Sequence, residues 1–380
     1  MSKRIRLSTP HMSGNEMKYI REAFEKNYIA PVGENITELE ETLKQYLQAP
    51  YVVALNSGTA ALHLALINLG VDQDDEVIVP GFTFCASVNP ILYQRAVPIF
   101  IDCEPETWNM DPKMLEMAIQ DRMQKGRKPK AVILVHLYGM PAKINEIRQI
   151  TSRYEIPLIE DAAEALGSQY HGKMVGTFTD MSILSFNGNK IITTSGGGAL
   201  VSNSRYYSEN ALYLSTQAKD DMPHYQHSAI GYNYRMSNIV AGIGRGQMEV
   251  IDQRIRQRRE RFQYYYQALN EIDEITFLEE PEGHLSNYWL TTLLVKPNGK
   301  GITREHVRKY LEADNIDTRP LWKPMHLQPI YEKYPSYMNG TASSLFEKGL
   351  CLPSGSNLSD EDAERVVRQV KKTFQTAPCF

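Results

Sequence analysis

Residues 131–161 read AVILVHLYGMPAKINEIRQITSRYEIPLIED. A β-branched and aliphatic run over 131–137 gives way to a segment with apolar residues at helical spacing, Lys143 to Tyr154, and then to a second apolar run, PLIE, at 157–160. Strand, helix and strand within about thirty residues is the unit of a parallel sheet, because a crossover must carry the chain back before the next strand can run the same way. The same alternation extends outward on both sides. YVVAL (51–55), EVIVP (76–80), VPIFI (97–101) and MSILSF (181–186) are further strand candidates, and Thr59 to Leu69 has a helical pattern. Several of these runs are apolar on both faces, as strands covered by helices on each side are. The expectation is an α/β fold with a mostly parallel central sheet.

Beyond this region a long arginine-rich helix is expected from Asn238 to Asn270, bridging to a smaller unit. That unit holds strand-like WLTTLLV (289–295), helical EHVRKYLEADN (305–315) and a terminal helix in SDEDAERVVRQVKKTF (359–374). The patterning therefore divides the chain near residue 250, into a large domain over 1–250 and a compact α+β domain over 251–380.

The 380 residues are 42% hydrophobic and 23% charged, an ordinary globular composition, and 41 basic against 45 acidic residues leave a formal charge of −4. No field that would recruit nucleic acid or anionic lipid follows from such a balance, so small molecules are the expected partners. Cys85, Cys103, Cys351 and Cys379 are scattered, with no zinc-type or disulfide-framework spacing, which suits a reducing cytoplasm. No signal-peptide core and no run of about 18 apolar residues is present.

Three stretches carry candidate chemistry. In NSGTAALHLAL (56–66) a strand stops and a helix begins, so Ser57, Gly58 and Thr59 put free N–H groups and hydroxyls where an anion can sit; the same residues also make an ordinary helix cap. In IEDAAEALGS (159–168) Asp161 stands at the C-terminal end of a strand, the edge at which open α/β sheets bind ligands, although it could equally cap a helix begun by the alanines. In SFNGNKIITTSGGGAL (185–200) Lys190 follows another strand, amid small residues and with no acid within several positions. Partial desolvation there favours a neutral, nucleophilic amine over a solvated loop lysine, and the flanking glycines let backbone approach something closely.

Other chemistries lose support. Asn187 to Lys190 is not a phosphate loop of the G-K-[ST] kind, and GIGRG (242–246) lacks the dinucleotide spacing and follows no strand. His63, His136 and His326 have no metal-ligand spacing; His63 and His136 read as packing or capping residues, and no metal is expected.

SGTAAL, EDAAEALGS and SFNGNK, in that order, resemble the DegT/StrS-type sugar aminotransferases, pyridoxal phosphate enzymes of the aspartate aminotransferase (type I) fold. APVGENITELEE (30–41), PGFTFCAS (80–87), GYNYRMSN (231–238) and PLWKPMHLQP (320–329) extend the resemblance over nearly the whole chain. The resemblance implies that Lys190 forms a Schiff base with pyridoxal phosphate, that Asp161 pairs with the pyridine nitrogen, and that the ring lies between Phe84 and Ala163. It puts the phosphate on Gly58 and Thr59 with the Ser185 hydroxyl, and implies that Asn233 reaches the phosphate of a neighbouring subunit in a homodimer with shared active sites. Glu164 replaces the His or Gln of many relatives near the cofactor's phenolic oxygen, and TTSGGG replaces the commoner TTGEGG, removing an acid. L-glutamate is the implied amino donor. SFNGNKIITTSGGG and WKPMHLQP are most similar to the 4-aminotransferases of UDP-linked 4-keto-6-deoxy-N-acetylhexosamines, as in bacillosamine-type pathways. Tyr28, Arg235, Lys323 and His326 are candidate contacts to nucleotide or donor carboxylate. A 3-aminotransferase, another nucleotide carrier, an amino acid aminotransferase and a regulator that only holds a cofactor or nucleotide sugar are the competing readings. A related dehydratase is disfavoured, because those relatives carry His where Lys190 stands.

Overall fold

The computed structural model of the chain describes residues 3–297 and 301–375; Cys379 lies outside them. The opening stretch folds as a strand Ala131–Val135, a helix Ile144–Arg153 and a strand Leu158–Asp161, and the two strands pair in parallel from Val132 with Leu158 to Val135 with Asp161. They lie inside an eight-stranded sheet. Its order is Tyr51–Leu55, Gly198–Ser202, Met181–Ser185, Leu158–Asp161, Ala131–Val135, Glu76–Pro80, Val97–Ile101 and Ser336–Tyr337. Gly198–Ser202 runs antiparallel to both neighbours, and the pairings from Met181–Ser185 onward are parallel.

Successive residues of the central strands feed opposite cores. Val77, Val79 and Ile133 join one apolar cluster, while Ile78, Val132 and Leu134 join the other, and all six are fully buried. Helices cover both faces, which is why these runs show no alternation of polar and apolar residues.

A second, four-stranded antiparallel sheet runs in the order Ile275–Phe277, Thr291–Val295, Gly349–Leu352 and Arg319–Pro320. It packs with the helices Ile251–Leu269, Arg304–Ala313 and Asp360–Gln375 around Phe262, Leu293, Val307, Leu350 and Val366. The chain crosses between the two bodies more often than one boundary near residue 250 implies. Ile5 belongs to the second core and bridges Ile316, while Ser336–Tyr337 returns to extend the large sheet beside Val97–Ile101.

The single long helix expected over 238–270 is instead two, Asn238–Met248 and Ile251–Leu269. Glu249 at the break takes hydrogen bonds from Asn15 Nδ2 and the Tyr19 hydroxyl, and Val250 has a non-helical backbone. The first helix packs on Glu16–Glu25 and Glu34–Leu47 through its glycines. A Cβ at Gly242 would lie 2.8 Å from Asn35 Nδ2, and one at Gly244 2.8 Å from Leu39 Cδ2, so larger residues would force these helices apart. GIGRG is a packing face.

The Asp102 carboxylate fastens the return of the chain to the large sheet. It is fully buried at the end of Val97–Ile101 and accepts from the N–H groups of Asn339 (3.0 Å), Gly340 (2.8 Å) and Ala342 (2.9 Å), capping the helix Thr341–Lys348. Asp102→Ala would strand these donors, each at roughly 1–3 kcal/mol, so a net loss of about 3 kcal/mol is expected in urea unfolding, with a smaller loss for Asp102→Asn.

Candidate active site

Asn56, Asp161, Ser185 and Gly198 all stand at one edge of the large sheet, with Gly198 paired to Leu55 on one side and Ser185 on the other. Ser57 caps the helix Gly58–Asn68, its hydroxyl accepting from the Ala60 N–H at 3.0 Å. The capping reading thus holds, and it leaves the Gly58 and Thr59 N–H groups, first-turn donors with no partner inside the helix, pointing out of its positive end. The approach is close: a Cβ at Gly198 would fall 2.3 Å from the Gly58 nitrogen. Only glycine fits there.

The edge opens into a cavity of about 320 Å³. Ser57, Gly58, Thr59, Phe84, Asp161, Ala163, Glu164, Ser185 and Lys190 all line it, so the structure brings together nine of the residues singled out from the sequence. No helix follows Asp161; its Oδ1 accepts from the Ala163 N–H at 3.1 Å within a turn, and its Oδ2 accepts from the Ser87 hydroxyl at 2.6 Å. Both partners are neutral. Among the described residues no Lys, Arg or His forms a salt bridge with this carboxylate, which keeps acceptor capacity for a positively charged donor in the cavity.

Lys190 is not the isolated cation its sequence neighbours suggest. Its Nζ lies 3.3 Å from Glu164 Oε1, with side-chain exposures of 12% and 5%, so the counter-charge comes from 26 positions away in the chain. The other oxygen of Glu164 accepts from the Tyr138 N–H at 2.7 Å. Burial pushes the Glu164 carboxyl above the ordinary carboxylate range, against the opposing pull of Lys190 and the Tyr138 N–H.

The other candidates lie elsewhere. Arg235 is committed to an ion pair with Glu40 and to the Ala54 carbonyl (2.9 Å), both beside the strand Tyr51–Leu55, so it is not a free cation at the mouth. Tyr28 is an exposed side chain whose carbonyl accepts from Asn238 Nδ2, beside a separate cavity of about 150 Å³. Lys323 is exposed and outside the cavity wall. His326 Nδ1 is buried without a hydrogen-bond partner among the described residues, near Gly81 rather than in the cavity. The Asn233 side chain is exposed and does not line this chain's cavity. His63 and His136 are buried, His63 hydrogen-bonded to Tyr234 and Gln94, His136 to Glu160 and the Ala142 N–H. Trp289 and Trp322 also line the cavity, and the sequence patterns gave no signal for either.

A family model described as the DegT/DnrJ/EryC1/StrS aminotransferase family matches residues 10–371. The chain belongs to this family. EpsN of Bacillus subtilis (strain 168), whose name assigns it provisionally to the pyridoxal phosphate-dependent aminotransferases, is 48% identical over 99% of this chain and 97% of its own. GDP-perosamine synthase of Escherichia coli O157:H7 is 37% identical over 98% and 99%. A Streptococcus pneumoniae protein described provisionally as a sugar aminotransferase, solved in its PLP form, superposes with a TM-score of 0.89 at 26% identity, covering 98% of this chain and 99% of that one. The fold is therefore type I, and the protein is a pyridoxal phosphate-dependent aminotransferase.

The cavity's donor set suits that cofactor. Free N–H groups at a helix start match a phosphate, a carboxylate without a cation matches a protonated ring nitrogen, and a primary amine matches an aldehyde.

The raised Glu164 carboxyl has a consequence for stability. A carboxyl held above its unfolded value near 4.5 contributes stability that is complete below that pH and is lost as pH rises through the folded value. Wild type should therefore lose stability relative to Glu164→Gln as pH rises above about 4.5 in paired urea titrations. A difference that is flat, or that grows the other way, would contradict this environment.

Proposed function

We propose that this protein transfers the amino group of L-glutamate to the C4 ketone of a nucleotide-linked 4-keto-6-deoxy sugar, with UDP-2-acetamido-2,6-dideoxy-4-ketohexose as the first candidate, making a 4-amino sugar for a surface glycan or polysaccharide. The observation that carries the reading is the Lys190 amine held beside Glu164 in a cavity that also contains the Asp161 carboxylate. The identity to proteins named for amino-sugar synthesis supports a sugar acceptor. The name of that same relative favours a second reading in one respect, the carrier, which would then be GDP. The cytoplasmic location expected from the sequence is kept, since Cys85, Cys103 and Cys351 are free thiols.

In this reading Gly58, Thr59 and Ser185 would hold the cofactor's phosphate, Asp161 its ring nitrogen, and Phe84 and Ala163 its faces. When bound, pyridoxal phosphate supplies an electrophilic carbon for the amine and a ring that accepts electrons. The chain's own part is then positioning and proton transfer. Lys190 Nζ, as a free amine, takes the proton from the donor's α-carbon, and as an ammonium gives it up again. Glu164, 3.3 Å away, steadies the ammonium between these events. The Asp161 carboxylate is oriented by hydrogen bonds from the Ser87 hydroxyl and the Ala163 N–H, and a carboxylate there would favour a protonated ring nitrogen. The exposed Asn233 side chain is available to a second subunit, which supports a homodimer with shared sites.

The deciding experiment is NMR product analysis after incubation with L-glutamate and a panel of UDP-, dTDP- and GDP-linked 4-keto and 3-keto sugars. A new 4-amino sugar is the expected product; amination of a 3-keto sugar alone would overturn the regiochemistry, and no loss of cofactor colour with glutamate would favour a non-catalytic binder. Lys190→Ala should lower turnover by about 10³-fold or more, and Asp161→Asn by about 10²–10³-fold, in single-turnover assays with correctly folded protein.

A further inference from the structure

Trp289 has no role in the reading above, yet every polar group it carries is engaged next to Lys190. Its indole Nε1–H donates to the carbonyl of Asn189, the residue before Lys190, at 2.6 Å. Its backbone N–H donates to Asn287 Oδ1 at 2.8 Å, and Asn287 Nδ2 donates in turn to the carbonyl of Glu164 at 3.0 Å. Its carbonyl accepts from Arg258, a fully buried guanidinium that also donates to the Ser354 carbonyl (3.1 Å) and the Ser8 hydroxyl (3.1 Å). Ser8 then reaches the same Asn189 carbonyl at 3.2 Å. The ring is 1% exposed and lines the cavity, and Lys190 Nζ sits 4.2 Å from its centroid.

We propose that Trp289 is a positioning residue for Lys190: its ring and the Glu164 carboxylate form the berth that receives the lysine's amine whenever that amine is not covalently engaged, while its indole N–H fixes the peptide from which the lysine projects. This rests on the reading of Lys190 as the reacting amine. The physical basis is the ring quadrupole, whose negative face attracts an ammonium most strongly where water is excluded. The berth has one charged wall and one aromatic wall. The charged groups in the cavity that bear on Lys190 are Glu164 and, further along, Asp161; behind Trp289, Arg258 spends its donors on carbonyls and a hydroxyl. An amine so held stays inside the cavity instead of swinging into solvent.

The test follows the amine in cofactor-free protein, where activity plays no part. Trace acetylation with acetic anhydride, quantified at Lys190 by peptide mass spectrometry from about pH 6 to about pH 11, gives a rate-against-pH curve for that one side chain. In Trp289→Leu the curve should move to lower pH, so that labelling near neutrality rises about fivefold, within the range of a desolvated cation–π contact. Trp289→Phe keeps an aromatic face and should restore the wild-type curve to within about twofold. Trp289→Met replaces the leucine variant should that one not fold, as judged by circular dichroism. A rate raised equally at every pH reports exposure alone and overturns the proposal, as does an unchanged curve in the leucine or methionine variant, or a phenylalanine variant indistinguishable from them. Borohydride reduction of cofactor-loaded wild type, followed by peptide mapping, separates the two levels. A tag on a different lysine sinks the reading of Lys190 itself, whereas a tag on Lys190 with an unmoved labelling curve sinks only the berth.

Discussion

A lysine ammonium and a glutamate carboxylate held 3.3 Å apart with little access to water set the terms for everything around the cavity. Two desolvated charges are tolerated only where each is also satisfied by hydrogen bonds and fixed geometry. The structure supplies both. Glu164 takes the Tyr138 N–H on its second oxygen, its own carbonyl is held by Asn287, and Tyr138 has a left-handed backbone (φ 56°) that turns its N–H towards the carboxylate. A bulky residue in that region stores strain, and strain of this kind persists where surrounding contacts over-determine it. The cost of holding Lys190 in place is thus spread through two loops and an Asn side chain from the second sheet's side of the molecule.

The architecture explains why the pair forms here. Parallel strands deliver Asp161 and Ser185 to the same edge, and Gly198 lets the helix Gly58–Asn68 begin almost on top of that edge. One wall of the cavity therefore comes from strand ends and a helix start, elements too rigid to drift. Trp289, against Lys190, and Trp322, beside Phe84, complete the lining from the later third of the chain. The cavity thus draws on both bodies, and the contacts of Asp102 and of Ser336–Tyr337 with the large sheet tie the later part of the chain to it.

Much of this was legible in the sequence where the determining interactions are local. The six apolar runs before residue 190 are all strands within a residue or two, because burial on both faces writes itself directly into consecutive residues. Asp161, Ser185 and Lys190 could be set at one edge from strand endings alone. What escaped depends on contacts distant in the chain. The counter-charge of Lys190 is 26 positions away; the pairing of Ser336–Tyr337 with Val97–Ile101 spans more than half the sequence; and Trp289 sits in an apolar run with nothing to distinguish a cavity wall from a core residue. Arg235 looked free because its partner, Glu40, lies far back in a helix. The break at Glu249 and Val250 was hidden because continuous helical spacing does not record a change of packing partner.

Arg258 and Lys190, both little exposed, are handled in opposite ways, and the contrast accounts for the choice of residue at each. Arg258 is fully buried, and burial has pushed it down to about 10, still far above neutrality, so it remains charged in every state of the protein. It has dipoles for partners, the carbonyls of Trp289 and Ser354 and the Ser8 hydroxyl, and its planar fork binds three distant segments at fixed angles. A permanent charge solvated by dipoles suits a strut. Lys190 has a carboxylate and an aromatic face instead, one charged partner and one soft one, so its ammonium is steadied without the fixed set of dipoles that surrounds Arg258. Exchanging the partners would defeat both: dipoles alone would leave the Lys190 ammonium without a counter-charge, and a carboxylate on Arg258 would add a second buried anion to the molecule.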